Sequence, residues 1–418
     1  KNLEETVPED LVSIPGGPLI TVIGDYDGFI HDNIRQPVKE SRHYPQIGST
    51  AGIDYATKNP AVIVRVGGND KAATDENYVF PLWYSMDTGK TWTQFASHPD
   101  PGQNYRGKIA VSADGTVVLW NPEGKNVLLR TDDRGTSWTT CEGVSAQKCF
   151  PTADPVDENV FYAFSSGVCR SNDKGVHFTR VDNENFSWTS DMQVTPGREG
   201  HIWVTGFAWD GINGGFLARS TDGGETFMQI NPEADPQYTR KIQHCEAVGF
   251  GKQASGASYP AIYFYGTIDG IRGVFQSIDE AKTWVRIDDD QHQYGALSNG
   301  NFIRGDANRF GVVYRSTAGR GIAVRYPTEE VEVSQKKNDF KPEKISAPSI
   351  NWSAYRNRTI RFYSLTGQLL YQNKISGTIH SGKVNPVLSR LIHVSGMVII
   401  RIVQSDQKVI LHKKVILR

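Results

Sequence analysis

The 418 residues carry 45 Lys and Arg against 46 Asp and Glu, a formal net charge of -1, so no global field draws the chain to nucleic acid or an anionic membrane. No run of about 18 apolar residues occurs, which excludes a membrane-spanning helix. Gly is frequent at 41, aromatics are plentiful (9 Trp, 17 Tyr, 18 Phe) and Met is scarce at 4, a mix that suits many short strands and tight turns.

The length points to one large domain plus an appendage. Lys1 in place of Met, with no signal peptide before it, leads us to expect a processed product or a fragment. Residues 1–17 read as a lead-in. The stretch "GDYDGFIHDN" at 24–33 then packs Asp25, Tyr26, Asp27, Phe29, His31 and Asp32 close together. Such a cluster either moves protons or holds a turn, and the stretch alone leaves both open.

Strand-like runs follow at "AVIVRVGG" (61–68), "GTVVLWN" (115–121), "ENVFYAF" (158–164), "GHIWVTGF" (200–207) and "PAIYFYG" (260–266). Between them a frame recurs: "SMDTGKTW" at 85–92, "TDDRGTSW" at 131–138, "SNDKGVHF" at 171–178, "STDGGETF" at 220–227 and "SIDEAKTW" at 277–284. Its aspartates lie 46, 40, 49 and 57 residues apart. The Asp side chain suits backbone N–H groups within a turn, the Gly suits positive φ, and the closing ring anchors between sheets. Ala281 replaces that Gly in the last copy, so this turn is expected to be distorted or differently closed. The frame resembles the Asp-box of sialidases and other propeller proteins, a fold-holding hairpin turn at the blade periphery.

Regular spacing of this size predicts an all-β, seven-bladed β-propeller over 18–326. Trp120, Trp188, Trp209 and Tyr294 lie outside the repeated turns and are candidates for stacking on sugar faces, with blade core as the competing role. Trp83 reads as core. Cys141, Cys149, Cys169 and Cys245 show no CxxC spacing, so neither a zinc site nor another cofactor is expected. Cys141 and Cys149 either close a small disulfide loop or stay as buried thiols.

Residues 327–349 are polar, charged and proline-containing and read as a linker. From 350 to 418 strand-like alternation returns, predicting a small β-sandwich. "YSLTGQLL" (363–370), "SGMVIIRI" (395–402) and "KKVILR" (413–418) resemble the C-terminal sorting domain of type IX secretion cargo. That likeness implies contact with the secretion machinery and a final place on or outside a Gram-negative cell surface. A small carbohydrate-binding or fibronectin-like module is the plain alternative.

A more specific resemblance spans residues 4–326. "EETVPEDLVSIPGGPLITVIGDYDGFIHDNI" (4–34), "GIDYATKNPAVIVRVGG" (52–68), "IAVSADGTVVLW" (109–120), "VGFGKQASGASYPAIYFYGTIDGIRGVFQSIDEAKTWVRIDDDQHQYG" (248–295) and "GDANRFGVVYRSTAGRGI" (305–322) resemble the second propeller of glycoside hydrolase family 74. The resemblance implies an inverting endo-β-1,4-glucanase acting on xyloglucan in a groove between two propellers, with one catalytic Asp on each. The second-propeller motif "GDxxGFxHD" is "GDYDGFIHD" here, which implies that Asp25 is the general acid. Tyr26 and Phe29 would border the substrate and give the acid apolar cover. His31 and Asp32 would shape the groove or hold the acid, with a structural hydrogen-bonding role as the alternative, and Asp27 would hold the turn or touch substrate.

An inverting hydrolase needs an acid and a base roughly 6.5–9.5 Å apart, with room for water between them. No second motif occurs within the chain, so the base is expected on an N-terminal propeller of the same parent chain, and this piece alone is expected to bind weakly or be inactive. A non-catalytic, surface-displayed carbohydrate-binding propeller is the competing function. A sialidase is disfavoured because no "RIP"-type motif accompanies the turns.

Overall fold

The structure is a computed structural model. It describes residues 6–24, 26–38, 43–68, 80–99, 106–144, 149–165, 167–182, 186, 189–206, 214–291, 295 and 297–327, and the backbone of four strands at 359–363, 369–374, 397–403 and 409–416. The chain divides into two compact units, Lys1–Glu330 and Val331–Arg418.

Unit one is a seven-bladed β-propeller with no helix among the described residues. Each blade is an antiparallel meander in chain order. Among the described residues, blades 2 to 6 have four strands, and blades 1 and 7 have three. The inner strands are Pro8–Ser13, Thr50–Tyr55, Gly107–Val111, Phe150–Ala153, Thr189–Val194, Ile242–Gly251 and Ile303–Gly305.

The second strand of every blade is buried along its whole length, as in Leu19–Ile23, Ile63–Gly67 and Ala261–Ile268. Neighbouring blades cover both its faces, so these strands read as mainly apolar runs, with a few buried polar side chains such as Arg65, rather than alternating ones. The outermost strands of blades 2 to 6, such as Thr93–Gln94 and Thr179–Arg180, have two residues and are largely exposed. Short edges of this kind offer little template for strand pairing between molecules.

The ring closes between the last and first blades. Leu11 and Leu19 pack with Phe302, Val312 and Tyr314 in one core cluster. Ala307 N–H donates to Ser13 Oγ at 2.9 Å, and the Asn308 side chain donates to the Ile14 carbonyl at 2.8 Å.

The repeated turns share one hydrogen-bond pattern. In the second, Thr131 Oγ1 donates to Asp133 Oδ1 at 2.9 Å and accepts from Gly135 N–H at 2.9 Å, while Ser137 donates to Asp133 through its amide and its hydroxyl. The bonds from Ser137 pull the Asp133 carboxyl down to about 2. The expectation for Ala281 is corrected here. Ala281 takes φ +69° and donates to Ser277 Oγ at 2.9 Å, so the last turn closes like the others.

Cys141, Cys149, Cys169 and Cys245 are free and buried, and the first three share one core cluster. In unit two the described strands form a single four-stranded sheet in the order Leu369–Lys374, Thr359–Tyr363, Met397–Val403, Val409–Ile416. The linker expected at 327–349 lies outside the described residues apart from Pro327.

Candidate functional site

Residues 24–28 are the turn between Leu19–Ile23 and Phe29–His31 of blade 1, with the register set by pairing Thr21 with Phe29 and Leu19 with His31. Asp25 lies outside the described residues. On either side of it, Gly24 N–H donates to the Val7 carbonyl at 2.8 Å and Gly28 N–H to the Tyr26 carbonyl at 2.7 Å. Position 28 requires glycine. Its φ is +119°, and a Cβ there would lie 1.8 Å from the Thr21 carbonyl oxygen.

Asp27 takes φ +64° and is 1% exposed. Its Oδ1 accepts from Ile47 N–H and from Thr50 Oγ1, both at 3.2 Å, which fastens the blade 1 turn to the entry of blade 2's inner strand. Its Oδ2 has no hydrogen-bond partner. Arg65, also fully buried, donates through Nη2 to the Pro45 carbonyl at 2.7 Å and lies 4.4 Å from the centroid of the Trp92 ring. Burial lowers the Arg65 guanidinium to about 10 against the opposing pull of the Asp27 charge, so it stays cationic near neutral pH.

His43 is buried beside them. Burial, with the Arg65 charge adding to it, lowers His43 to about 3 and leaves the ring neutral. Its Nε2 lies 3.0 Å from the Thr21 carbonyl, which only accepts, so the proton sits on Nε2.

The structure brings four of the predicted groove residues to this turn. Tyr26 is 42% exposed. Phe29 and His31 are half-buried on one face of the third strand and meet edge to face at 6.2 Å. His31 Nε2 sits 3.4 Å from Thr21 Oγ1, and burial lowers its pKa. Asp32 is exposed at the strand's end.

Trp188, Trp209 and Tyr294 lie outside the described residues. Trp120 is corrected as a stacking candidate. It is fully buried, packs at 6.1 Å on Trp138 inside a blade core cluster, and has no face open to a sugar.

A cavity of about 950 Å³ runs among the inner strands of all seven blades. Asp10, Asp54 and Asp191 line it around Arg304, whose nitrogens lie 3.4 Å from Asp10 and 4.0 Å from Asp191. Enclosure raises the Asp54 carboxyl to about 7 and also raises that of Asp191. Among the described residues no group of three or more His, Cys, Asp or Glu side chains is placed to hold a metal ion.

Sequence reading passed over Asp54, Asp191 and the Asp27–Arg65–His43 cluster. One signal was available: Asp10, Asp54 and Asp191 each interrupt an inner strand in "PEDLVS", "AGIDYA" and "TSDMQV".

No family model matches the chain. A xyloglucanase from a Paenibacillus species is 36% identical over 331 residues, covering 78% of this chain and 30% of that protein. The crystal structure of the Niastella koreensis GH74 enzyme superposes with a TM-score of 0.67 at 39% identity, covering 78% of this chain and 43% of that one. The GH74 xyloglucanase of Xanthomonas campestris gives 0.64 at 32% identity, covering 78% and 44%. The chain is thus homologous to GH74 xyloglucanases over about 78% of its length, and it spans less than half the length of these relatives.

Proposed function

We propose that this propeller is the second-propeller half of an inverting, endo-acting xyloglucan hydrolase and that Asp25 is its general acid. The observation that carries the reading is the 39% identity to a GH74 enzyme, combined with a turn whose Asp27 and Gly28 tie residues 24–28 to two blades. In this reading Asp25 protonates the leaving glycosidic oxygen while a carboxylate on another propeller activates water from the opposite side. Tyr26, Phe29, His31 and Asp32 border the glucan. His31, kept neutral by burial, offers a hydrogen bond to a sugar hydroxyl rather than a second charge.

In the same reading xyloglucan or a related β-glucan is the substrate, and an N-terminal propeller of the parent chain supplies the base. Residues 350–418 pass the protein to the secretion machinery and set it at or beyond the outer membrane.

Asp25→Asn in the full native chain tests this. Loss of xyloglucan hydrolysis with polysaccharide binding retained is the expected result, whereas unchanged hydrolysis removes Asp25 from the mechanism. The competing reading is a non-catalytic carbohydrate-binding propeller. It predicts binding without hydrolysis in any native form of the protein.

A further inference from the structure

Large exposed side chains are ordinary on a folded protein when scattered and informative when they gather. Among the described residues three aromatic rings are exposed: Tyr26, Phe310 and, at 82%, Tyr44. Two of the three meet at one place. The His43 amide donates to the Gly28 carbonyl at 3.0 Å, so Tyr26 lies two residues before one end of that bond and Tyr44 one residue after the other.

The topology sets the face on which they lie. In an antiparallel meander the second-to-third turn of a blade and the connection to the next inner strand leave at one end, and the other turns leave at the opposite end. The 24–28 turn is the second-to-third turn of blade 1, and Tyr44 belongs to the connection that enters blade 2 at Thr50. Both open on the face opposite the repeated turns around Asp87 and Asp133. Phe310 lies in the first-to-second turn of blade 7, between Ile303–Gly305 and Val313–Ser316, and falls on the other face.

Tyr44 stands on a stiff mount. His43, itself buried, donates through Nε2 to the Thr21 carbonyl at 3.0 Å, and the Pro45 carbonyl accepts from Arg65 Nη2 at 2.7 Å. Ile47, fully buried, donates its amide to Asp27 Oδ1 at 3.2 Å. The chain on both sides of Tyr44 is thus fastened to blades 1 and 2 while the ring faces solvent. Folding gains little from a ring left mostly in water. A ligand gains more, because a Tyr side chain has only two torsions to order and the backbone beneath this one is already fixed.

The chemistry of the ring selects the ligand. A β-1,4-glucan is a flat ribbon whose hydroxyls lie near the plane of each pyranose, which leaves C–H faces to pack on an aromatic face. The Tyr hydroxyl can meet a sugar hydroxyl at the ring's edge. We propose that Tyr44 stacks on a main-chain glucosyl unit beside the 24–28 turn and contributes substrate affinity, not turnover. This rests on the reading of the chain as part of a xyloglucan hydrolase. The main chain, not a xylosyl branch, is chosen because that reading puts cleavage of a main-chain bond at the turn to which the residue before Tyr44 is bonded. A contact made equally in the ground and transition states moves KM and leaves kcat alone.

The test compares wild type, Tyr44→Ala, Tyr44→Phe and Phe310→Ala in the full native chain. Tyr44→Ala is expected to raise KM for xyloglucan about 3- to 10-fold with kcat within about twofold. In affinity electrophoresis it is expected to weaken retention by xyloglucan and by an undecorated β-1,4-glucan alike. Its melting temperature is expected to match wild type, which separates a lost contact from a lost fold. Tyr44→Phe keeps the ring and is expected to lose a smaller share of the affinity, and Phe310→Ala to bind as wild type does. Wild-type KM and retention in Tyr44→Ala overturn the proposal, as does a loss confined to the decorated glucan, which puts the ring on a branch. If the wild-type chain binds xyloglucan without hydrolysing it, the catalytic reading fails and retention still decides the role of Tyr44. If neither glucan retains the wild-type chain, the glucan reading fails and the role of Tyr44 falls with it.

Discussion

Asp54 Oδ2 accepts the Val111 amide hydrogen at 2.8 Å, joining the inner strands of blades 2 and 3 from within the central cavity. Asp191 Oδ2 meets the Val248 amide in the same way at 3.4 Å, between blades 5 and 6. Inner strands have hydrogen-bonding neighbours on one side only, so their inward N–H groups need other acceptors. Carboxylates at these positions supply them.

The same placement makes Asp54 sensitive to pH. Enclosure raises its carboxyl to about 7, with the Asp10 charge adding to that and the Val111 and Tyr55 amides opposing it. In the unfolded chain an Asp titrates near pH 4, so across roughly pH 4 to 7 the folded protein holds a proton that the unfolded one has released. The contribution to stability is full below that window and falls as pH rises through it. Melting temperatures of wild type and Asp54→Asn from pH 4 to 8 are expected to diverge accordingly, with wild type losing ground to the variant as pH rises. A gap that stays constant with pH places the titration in another group.

Trp120 is expected to matter for stability and not for sugar affinity. Its ring is wholly buried against Trp138, with Nε1 3.4 Å from the Arg106 carbonyl. Trp120→Ala should cost about 3–5 kcal/mol in urea denaturation. Trp120→Phe, which keeps much of the apolar volume, should cost less and leave polysaccharide affinity at the wild-type level. A loss of affinity in folded Trp120→Phe returns the residue to the groove.

The propeller was legible because its two strongest signals are local. Buried second strands such as Ala261–Ile268 are mainly apolar runs, and the turns around Asp87, Asp133, Asp173, Asp222 and Asp279 carry their hydrogen-bond partners within five residues. The anchoring of the turn at Asp27 was not legible, because it joins Asp27 to Ile47 and Thr50 across two blades, 20 and 23 residues away. Trp120 misled for a related reason. Its alternation within "GTVVLWN" cannot tell an inter-blade core from an open groove when both faces of the strand are covered.

Cysteine chemistry separates the two alternatives left open for Cys141 and Cys149. All four cysteines are free and buried, and enclosure pushes the Cys141 thiol up to about 12 and Cys245 well above its ordinary value. Only the thiolate reacts. Native protein at pH 8 should therefore be inert to a thiol reagent, and four groups should react after unfolding without reductant. Two reactive groups would reveal a disulfide.

Ala281 offers a test in which opposing effects nearly cancel. Its φ of +69° costs an L-residue about 1–2 kcal/mol, which glycine would relieve. Glycine would also add about 0.4–1 kcal/mol of unfolded-chain entropy. The Ala281 methyl is fully buried in the cluster holding Phe264, Phe275 and Trp284, and a group of that size contributes about 0.8 kcal/mol. Ala281→Gly, although it restores the repeated frame, is thus expected to change stability by less than about 1 kcal/mol. The converse change in another copy is not balanced. At Gly135 a Cβ would meet the Ser97 carbonyl oxygen at 2.8 Å and the Phe95 side chain at 3.0 Å, and backbone cannot yield as a flexible side chain does. Gly135→Ala should destabilise by about 2 kcal/mol or more in the same denaturation assay. A clear gain from Ala281→Gly would mean that strain outweighs methyl packing in the last turn, and a neutral Gly135→Ala would mean that the blade edge gives way more readily than its contacts indicate.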